Sequence, residues 1–196
     1  MIDALVQLIV LFAVIFDPLA SLVVFVIATA SMEPTERRVT ASLALLVAAG
    51  LSFIVLILGP SVLTVLNTSI DEFRVAGGIV LGILGLKMAL GLPIANTEGV
   101  RGNSAKAIAA LIGTPLLTGP ATITTIIVTV TDYGAAVTGL AIAIVLAGTA
   151  VLFYNAERIT RKLGHTAIQV TSTILGLVTL AWGVKFVAEG LLAIIR

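Results

Sequence analysis

The sequence predicts an all-α membrane protein: six transmembrane helices arranged as a 3+3 inverted-topology repeat, with helices one and four broken at proline. Three observations carry that expectation. They are an apolar composition, six apolar runs of spanning length, and a self-similarity at half the chain length. Of the 196 residues, 59% are hydrophobic and 11% charged, where a soluble domain is about half apolar and a quarter charged. The mean hydropathy is +1.22. Such values exclude a soluble globular domain, a disordered chain and a fibrous repeat. Lys and Arg number 11 against 10 Asp and Glu, and the net charge of +1 points to no nucleic acid or other polyanion. With no cysteine there is no disulfide, thiolate metal site or cysteine nucleophile.

A spanning helix needs about 20 apolar residues, so six of them leave short loops only, and 1–196 reads as one transmembrane domain. The first run, Ala4 to Thr29, follows a start with Asp3 but no Lys or Arg. That start lacks the basic region of a cleaved signal, and the run exceeds a signal's apolar segment, so it reads as a retained helix. Phe16-Asp17-Pro18 interrupts it. The second and third runs are Val39 to Gly59 and Phe73 to Leu92. The fourth, Ala105 to Val130, is interrupted from Gly113-Thr114-Pro115 to Gly119-Pro120. The fifth and sixth are Ala135 to Tyr154 and Ile168 to Ile195. Proline lacks an N–H and clashes one turn back, so helices one and four should kink or split. The polar connections are Ser31 to Arg38, Asn67 to Glu72, Pro93 to Ser104, Thr131 to Gly134 and Glu157 to His165.

Basic residues set the orientation. Arg37, Arg38, Arg101, Lys106, Arg158, Arg161 and Lys162 lie in or beside the first, third and fifth connections, against Arg74 and Arg196 on the other side. The positive-inside rule therefore places those three connections in the cytoplasm and both termini outside.

Compared with itself at an offset of 98, the chain aligns Val39-Thr40 with Val137-Thr138, and Leu46 to Gly50 with Ile144 to Gly148. The same offset sets Gly78 on Gly176 and Gly85-Leu86-Lys87 on Gly183-Val184-Lys185. An offset of 97 sets Asp17-Pro18-Leu19 on Thr114-Pro115-Leu116. The expected repeats are 1–92 and 105–196, joined by a linker over 93–104. An odd number of helices per repeat inverts the second half, as in many secondary transporters, and brings the two broken helices together near the midplane.

Asp17 sits near the middle of its run. An ionisable group at that depth is costly unless it faces protein or water, which makes it a candidate for binding a solute or ion. Capping of the half-helix that starts at Pro18 is the alternative, and the two roles are compatible. In the fourth run, Thr114, Thr118 and Thr122 supply hydroxyls, and Pro115 and Pro120 orphan the carbonyls one turn earlier. Gly119 permits close backbone approach, and the N–H groups after Pro120 suit a carboxylate. A packing kink with self-bonded threonines is the alternative. Lys87 and Lys185 read as snorkelling side chains, with a Lys185–Glu189 pair as the other option. The glycines Gly77, Gly78, Gly82 and Gly85 read as a close-packing stripe. His165 reads as solvated and Trp182 as packed. A single histidine and the absence of cysteine leave no usual metal-hydrolase or haem arrangement. No Gly-x-Ser-x-Gly or phosphate-loop pattern occurs, so neither an enzyme nor a cofactor or metal site is expected.

Four stretches resemble the MarC-related family of six-helix membrane proteins. They are Phe16-Asp17-Pro18-Leu19-Ala20, Phe73 to Ile79, Pro115 to Ile123, and Ile174-Leu175-Gly176 through Gly190. The resemblance covers essentially the whole chain. That family includes transporters of small neutral amino acids such as glycine and alanine, and other members are associated with drug-resistance loci. Where the family often carries glycine, this chain has Ala20 and Ala121.

The resemblance implies a secondary transporter in a prokaryotic cytoplasmic membrane, with a small neutral amino acid bound between the broken helices. The expected substrate contacts are Asp17, Pro18, Leu19, Ala20, Thr114, Pro115, Thr118, Gly119, Pro120, Ala121 and Thr122. A proton on Asp17 is the simplest coupling ion, and a sodium ion held by carbonyls and threonine hydroxyls is the alternative. The rival readings are a non-transporting subunit or regulatory membrane component and a passive channel.

Overall fold

The computed structural model describes residues 2–92 and 104–195, except for the side chains of Pro115 and His165. The expected linker over 93–104 lies outside the described residues apart from Ser104, and so does Arg196. Every regular element among the described residues is helical.

The first run is divided as expected, into α1 (Ile2–Phe16) and α2 (Pro18–Ala28). Asp17 between them takes a left-handed conformation, φ 36 and ψ 65, which Asp tolerates better than most residues. Pro18 then occupies the first helical position, where its missing N–H costs nothing. The second helix, α3 (Pro34–Val65), is longer than the run Val39 to Gly59 and passes straight through Pro60. Its 32 residues extend about 48 Å at 1.5 Å each, more than the hydrocarbon core requires. α4 (Ile70–Ala89) begins three residues before the expected Phe73. The cause is a capping box: the Glu72 N–H donates to Ser69 Oγ at 3.2 Å, and the Ser69 N–H donates to Glu72 Oε2 at 2.8 Å. Those bonds hold the exposed Glu72 carboxyl below its ordinary value.

The fourth run comprises α5 (Ala105–Leu111), a π-helical turn over Ile112–Leu117, and α6 (Pro120–Tyr133). The offset of 97 matched Pro115 to Pro18, but the chain does not break at Pro115. A π turn bonds five residues apart, and here the Thr118 N–H donates to Gly113 O at 3.2 Å. The helix leaves its path only at Thr118 and Gly119, so the half-helix starts at Pro120. α7 (Ala135–Tyr154) matches the expected fifth run. α8 (Ala156–Ile195) is divided at Gly164, φ 70. The polar connection expected from Glu157 therefore contains a short helix with Arg158, Arg161 and Lys162 exposed.

Four helical stretches among the described residues are long and apolar enough to cross a bilayer: Ile2–Ala28, Pro34–Val65, Ala135–Tyr154 and Thr166–Ile195. Four of the six expected spans thus meet that length and hydropathy, Ile2–Ala28 despite its division at Asp17, while α4 and the divided α5–α6 do not. α4 carries Asp71, Glu72, Arg74 and Lys87, and α6 alone has 14 residues.

The broken helices form the centre. Leu8, Leu11, Phe12 and Phe16 of α1 and Ile126 and Val128 of α6 are fully buried, whereas Ile57, Ile83, Leu177 and Val184 on α3, α4 and α8 are exposed. An apolar exterior of this extent suits lipid, not water. α3 contacts α5 as α7 contacts α1, and the most extensive contact joins α4 to α8.

That last contact is made of glycine. A Cβ on Gly78 would lie 2.7 Å from Gly183 O and 2.7 Å from Val187 N, and one on Gly176 would lie 2.6 Å from Ala89 N. A Cβ on Gly85 would lie 2.7 Å from Gly176 O and would also strike Leu180 N. One on Gly183 would lie 2.7 Å from Gly78 O and 2.6 Å from Gly82 N. Exchanging each residue for the one 98 positions away turns the approach of Gly78 to Val187 N into that of Gly176 to Ala89 N, and the approaches of Gly85 to Gly176 O and Leu180 N into those of Gly183 to Gly78 O and Gly82 N. The two helices run antiparallel, with Gly78 opposite Gly183 and Gly85 opposite Gly176. Without lipid–water contrast to drive them together, such helices associate by close backbone approach.

Candidate functional site

The two breaks meet at a cavity of about 140 Å³. The first break contributes Ile15, Asp17, Ala20 and Ser21. The second contributes Leu116, Gly119, Pro120, Ala121 and Thr122, and α4 closes the side with Val80, Leu84 and Met88. A cavity near 150 Å³ admits benzene, so this one suits a solute of about six non-hydrogen atoms. α4 comes close enough to form the wall because Gly77 makes room for Thr124 of α6, whose side chain fills the place of a Cβ.

Asp17 is 4% exposed. Its Oδ1 accepts from the Ala20 N–H at 3.2 Å, the N-cap bond of α2, and its Oδ2 accepts from Ser172 Oγ of α8 at 2.7 Å. Both partners donate, so the carboxylate is held as an acceptor in one orientation. The opposite half-helix differs. Its cap is Gly119, which has no side chain to offer, so α6 starts without a side-chain cap bond. Its first N–H groups, those of Ala121 and Thr122, have no partner within the helix. They sit at the positive end of the helix dipole. Pro120 has no N–H for Leu116 O, which leaves an acceptor one turn earlier. One helix start therefore carries its own acidic cap, and the other has no side-chain cap.

The remaining expected contacts lie elsewhere. Thr118 is buried, but its Oγ1 donates to Ala48 O of α3 at 3.3 Å, so it secures the break to its neighbour. Thr114 is exposed on the π turn, and the Pro115 side chain lies outside the described residues. Pro18 and Leu19, half-buried in the first turn of α2, do not line the cavity. Thr122 Oγ1 spans the break to Leu117 O at 2.9 Å, the self-bonded arrangement weighed above. Asp17, Ala20, Gly119, Pro120, Ala121 and Thr122 are thus brought together, and the two alanines that stand in for glycine both face the cavity.

Sequence reasoning missed Ser21, Ser172 and the α4 wall. Ser21 follows Asp17 by four residues and shares its helix face, and Val80, Leu84 and Met88 also recur every four residues. Those two spacings were readable. Nothing local pairs Ser172 with Asp17.

Two ionic clusters lie at opposite ends of the bundle. At one, Arg37 pairs with Glu157, and its Nη2 donates to Thr29 O at 3.0 Å, joining α2, α3 and α8. At the other, Arg74 of α4 donates to Asp132 Oδ1 at 2.5 Å and to Glu189 Oε2 at 3.1 Å, joining α6 and α8. Lys185 lies 3.7 Å from Glu189 Oε1 and 4.5 Å from the Trp182 ring centre. The Lys185–Glu189 pair is therefore present, and Trp182 carries a cation on its face. Arg74, counted in the sequence among the few basic residues of the non-cytoplasmic side, is the half-buried hub of its cluster.

Broken membrane helices enclosing a buried carboxylate and a small cavity define a polytopic membrane protein with an internal pocket. The chain belongs to the MarC family of integral membrane proteins, whose family model matches residues 2–195. It is 32% identical over 190 residues to the UPF0056 membrane protein YhcE of Escherichia coli K12, covering 92% of this chain and 88% of that one. The UPF0056 inner membrane protein YhgN of the same organism is 27% identical over 184 residues, with 93% of each chain covered. The UPF0056 membrane protein MJ1677 of Methanocaldococcus jannaschii is 28% identical over 185 residues, with 90% of each covered. No solved structure matches the chain.

Proposed function

We propose that this protein is a secondary transporter of small neutral amino acids, glycine and alanine among them, working by alternating access across the cytoplasmic membrane of a prokaryote. One observation carries the reading: a single small cavity holds both the Asp17 carboxylate and the uncapped start of α6. A zwitterion needs both. Its carboxylate meets the N–H groups of Ala121 and Thr122, and its ammonium meets Asp17 and the freed Leu116 carbonyl. A solute of about six non-hydrogen atoms corresponds to a side chain about the size of a methyl group. Asp17 is the coupling residue for a proton, with sodium as the other cation that carbonyl and hydroxyl oxygens accept.

The 98-residue exchange symmetry of the α4–α8 glycines supports a 3+3 inverted repeat of six spans, the two divided helices included. Such repeats rock against each other around a central site. Arg37 with Glu157 closes one end and Arg74 with Asp132 and Glu189 the other, so opening either releases one cluster while the second holds. By the positive-inside rule the Arg37 end is cytoplasmic and both termini are outside.

Calorimetric titration of the detergent-purified protein with glycine tests the reading. Saturable binding of one glycine per chain is the expected result. Absence of binding for both glycine and alanine would remove the substrate assignment.

A further inference from the structure

We infer that the hydroxyl of Ser21 is a direct ligand contact, accepting a hydrogen bond from the ammonium group of the bound amino acid. This rests on the transporter reading above and adds a residue and an atom to it.

Ser21 is 2% exposed and lines the cavity one turn into α2. Hydroxyls on the helices of this chain turn back to the carbonyl four residues earlier: Thr29 to Phe25 at 2.7 Å, Thr125 to Ala121 at 2.8 Å and Thr149 to Val145 at 2.8 Å. Among the described residues Ser21 makes no such bond and no other side-chain bond. The fully enclosed hydroxyls without a partner among the described residues are Ser52 and Thr138, and neither lines this cavity. Of the two hydroxyls that line it, Thr122 bonds Leu117 O, which leaves that of Ser21 available to whatever enters the space.

The end of the ligand it meets follows from the helix. Ser21 stands four residues after Asp17 on one face of α2, whereas the free N–H groups for a carboxylate belong to α6. An ammonium has three N–H donors, and Asp17 already receives two bonds from protein. Asp17, Ser21 Oγ and Leu116 O together supply three acceptors. The contact selects a primary amine, because each N-methyl group removes a donor and adds bulk in a cavity of about 140 Å³.

The test uses two variants of the full chain. Ser21→Ala should remain monodisperse in detergent and weaken glycine binding by about tenfold or more, the effect of losing one hydrogen bond to a charged group. Ser21→Cys places a single thiol in a cysteine-free chain, and saturating glycine should slow its modification by a small methanethiosulfonate. Wild-type binding of glycine with no loss in Ser21→Ala, or a modification rate that glycine does not change, would overturn the contact while leaving the transporter reading intact. Failure of the wild type to bind glycine or alanine would instead overturn the reading itself, and the contact with it.

Discussion

Replacing Asp17 by alanine removes three things at once. The Ala20 N–H loses its cap acceptor, which costs about 1 kcal/mol. The half-buried Ser172 hydroxyl loses its acceptor, at about 1 kcal/mol. A residue with no local polar group must also hold φ 36 and ψ 65, where alanine is worse than Asp by about 1 kcal/mol. The loss should therefore reach about 3 kcal/mol, and it should appear as a lower melting midpoint in detergent. Asp17→Asn keeps the left-handed tolerance and a cap oxygen, and its amide can donate to Ser172 Oγ in place of accepting from it. It should stay within about 1 kcal/mol of wild type. The same pair of variants separates stability from coupling. In liposomes Asp17→Asn should exchange internal for external glycine yet fail to accumulate it under a pH gradient, because an amide carries no titratable proton. Equal melting of the Ala and Asn variants would refute the capping argument. Gradient-driven accumulation by Asp17→Asn would place the coupling site elsewhere.

Three further outcomes are expected. Gly85→Ala and Gly183→Ala, 98 residues apart and each facing the corresponding backbone N and O atoms, should lower the melting midpoint by similar amounts, each by about 1–3 kcal/mol of overpacking. Tolerance of one and collapse of the other would break the two-fold relation. Gly119→Leu should fold but lose glycine binding, since its side chain would occupy the space before the α6 N–H groups; unchanged affinity would move the site away from α6. Single cysteines at Thr68 and Ser104 should react with an impermeant thiol reagent from opposite sides of the membrane, and reaction from the same side would contradict the inverted arrangement.

How far the fold was readable depended on whether a local rule had one solution. Asp before Pro at the first break permits a cap and little else, so the division at Asp17 was legible. At the second break two prolines compete. The match to Pro18 favoured Pro115, but a π turn absorbs that missing N–H through the bond from Thr118 to Gly113. Gly113 also lies so near α3 that a Cβ would be 2.7 Å from Ala44 O. Tertiary contact thus carries the helix past Pro115, and the half-helix starts at Pro120, where its N-terminus was expected. The second run was expected to end at Gly59, and α3 continues through Pro60 to Val65. The site was half-legible for a related reason. Asp17, Gly119 and their neighbours announce themselves by cost or by backbone freedom. Ser172 and the α4 wall acquire meaning only when distant helices meet, and the glycines that let them meet were read correctly as close-packing positions.

The central claim is that the cavity between the broken helices carries an amino acid across the membrane, and counterflow measures it most directly. Liposomes holding the purified protein and loaded with unlabelled glycine should take up labelled glycine transiently above its equilibrium level. The uptake should saturate with external glycine, be blocked by alanine, and be absent with Gly119→Leu. Labelled glycine that enters no faster than into empty liposomes, or that enters without saturation and without an overshoot, would contradict the account.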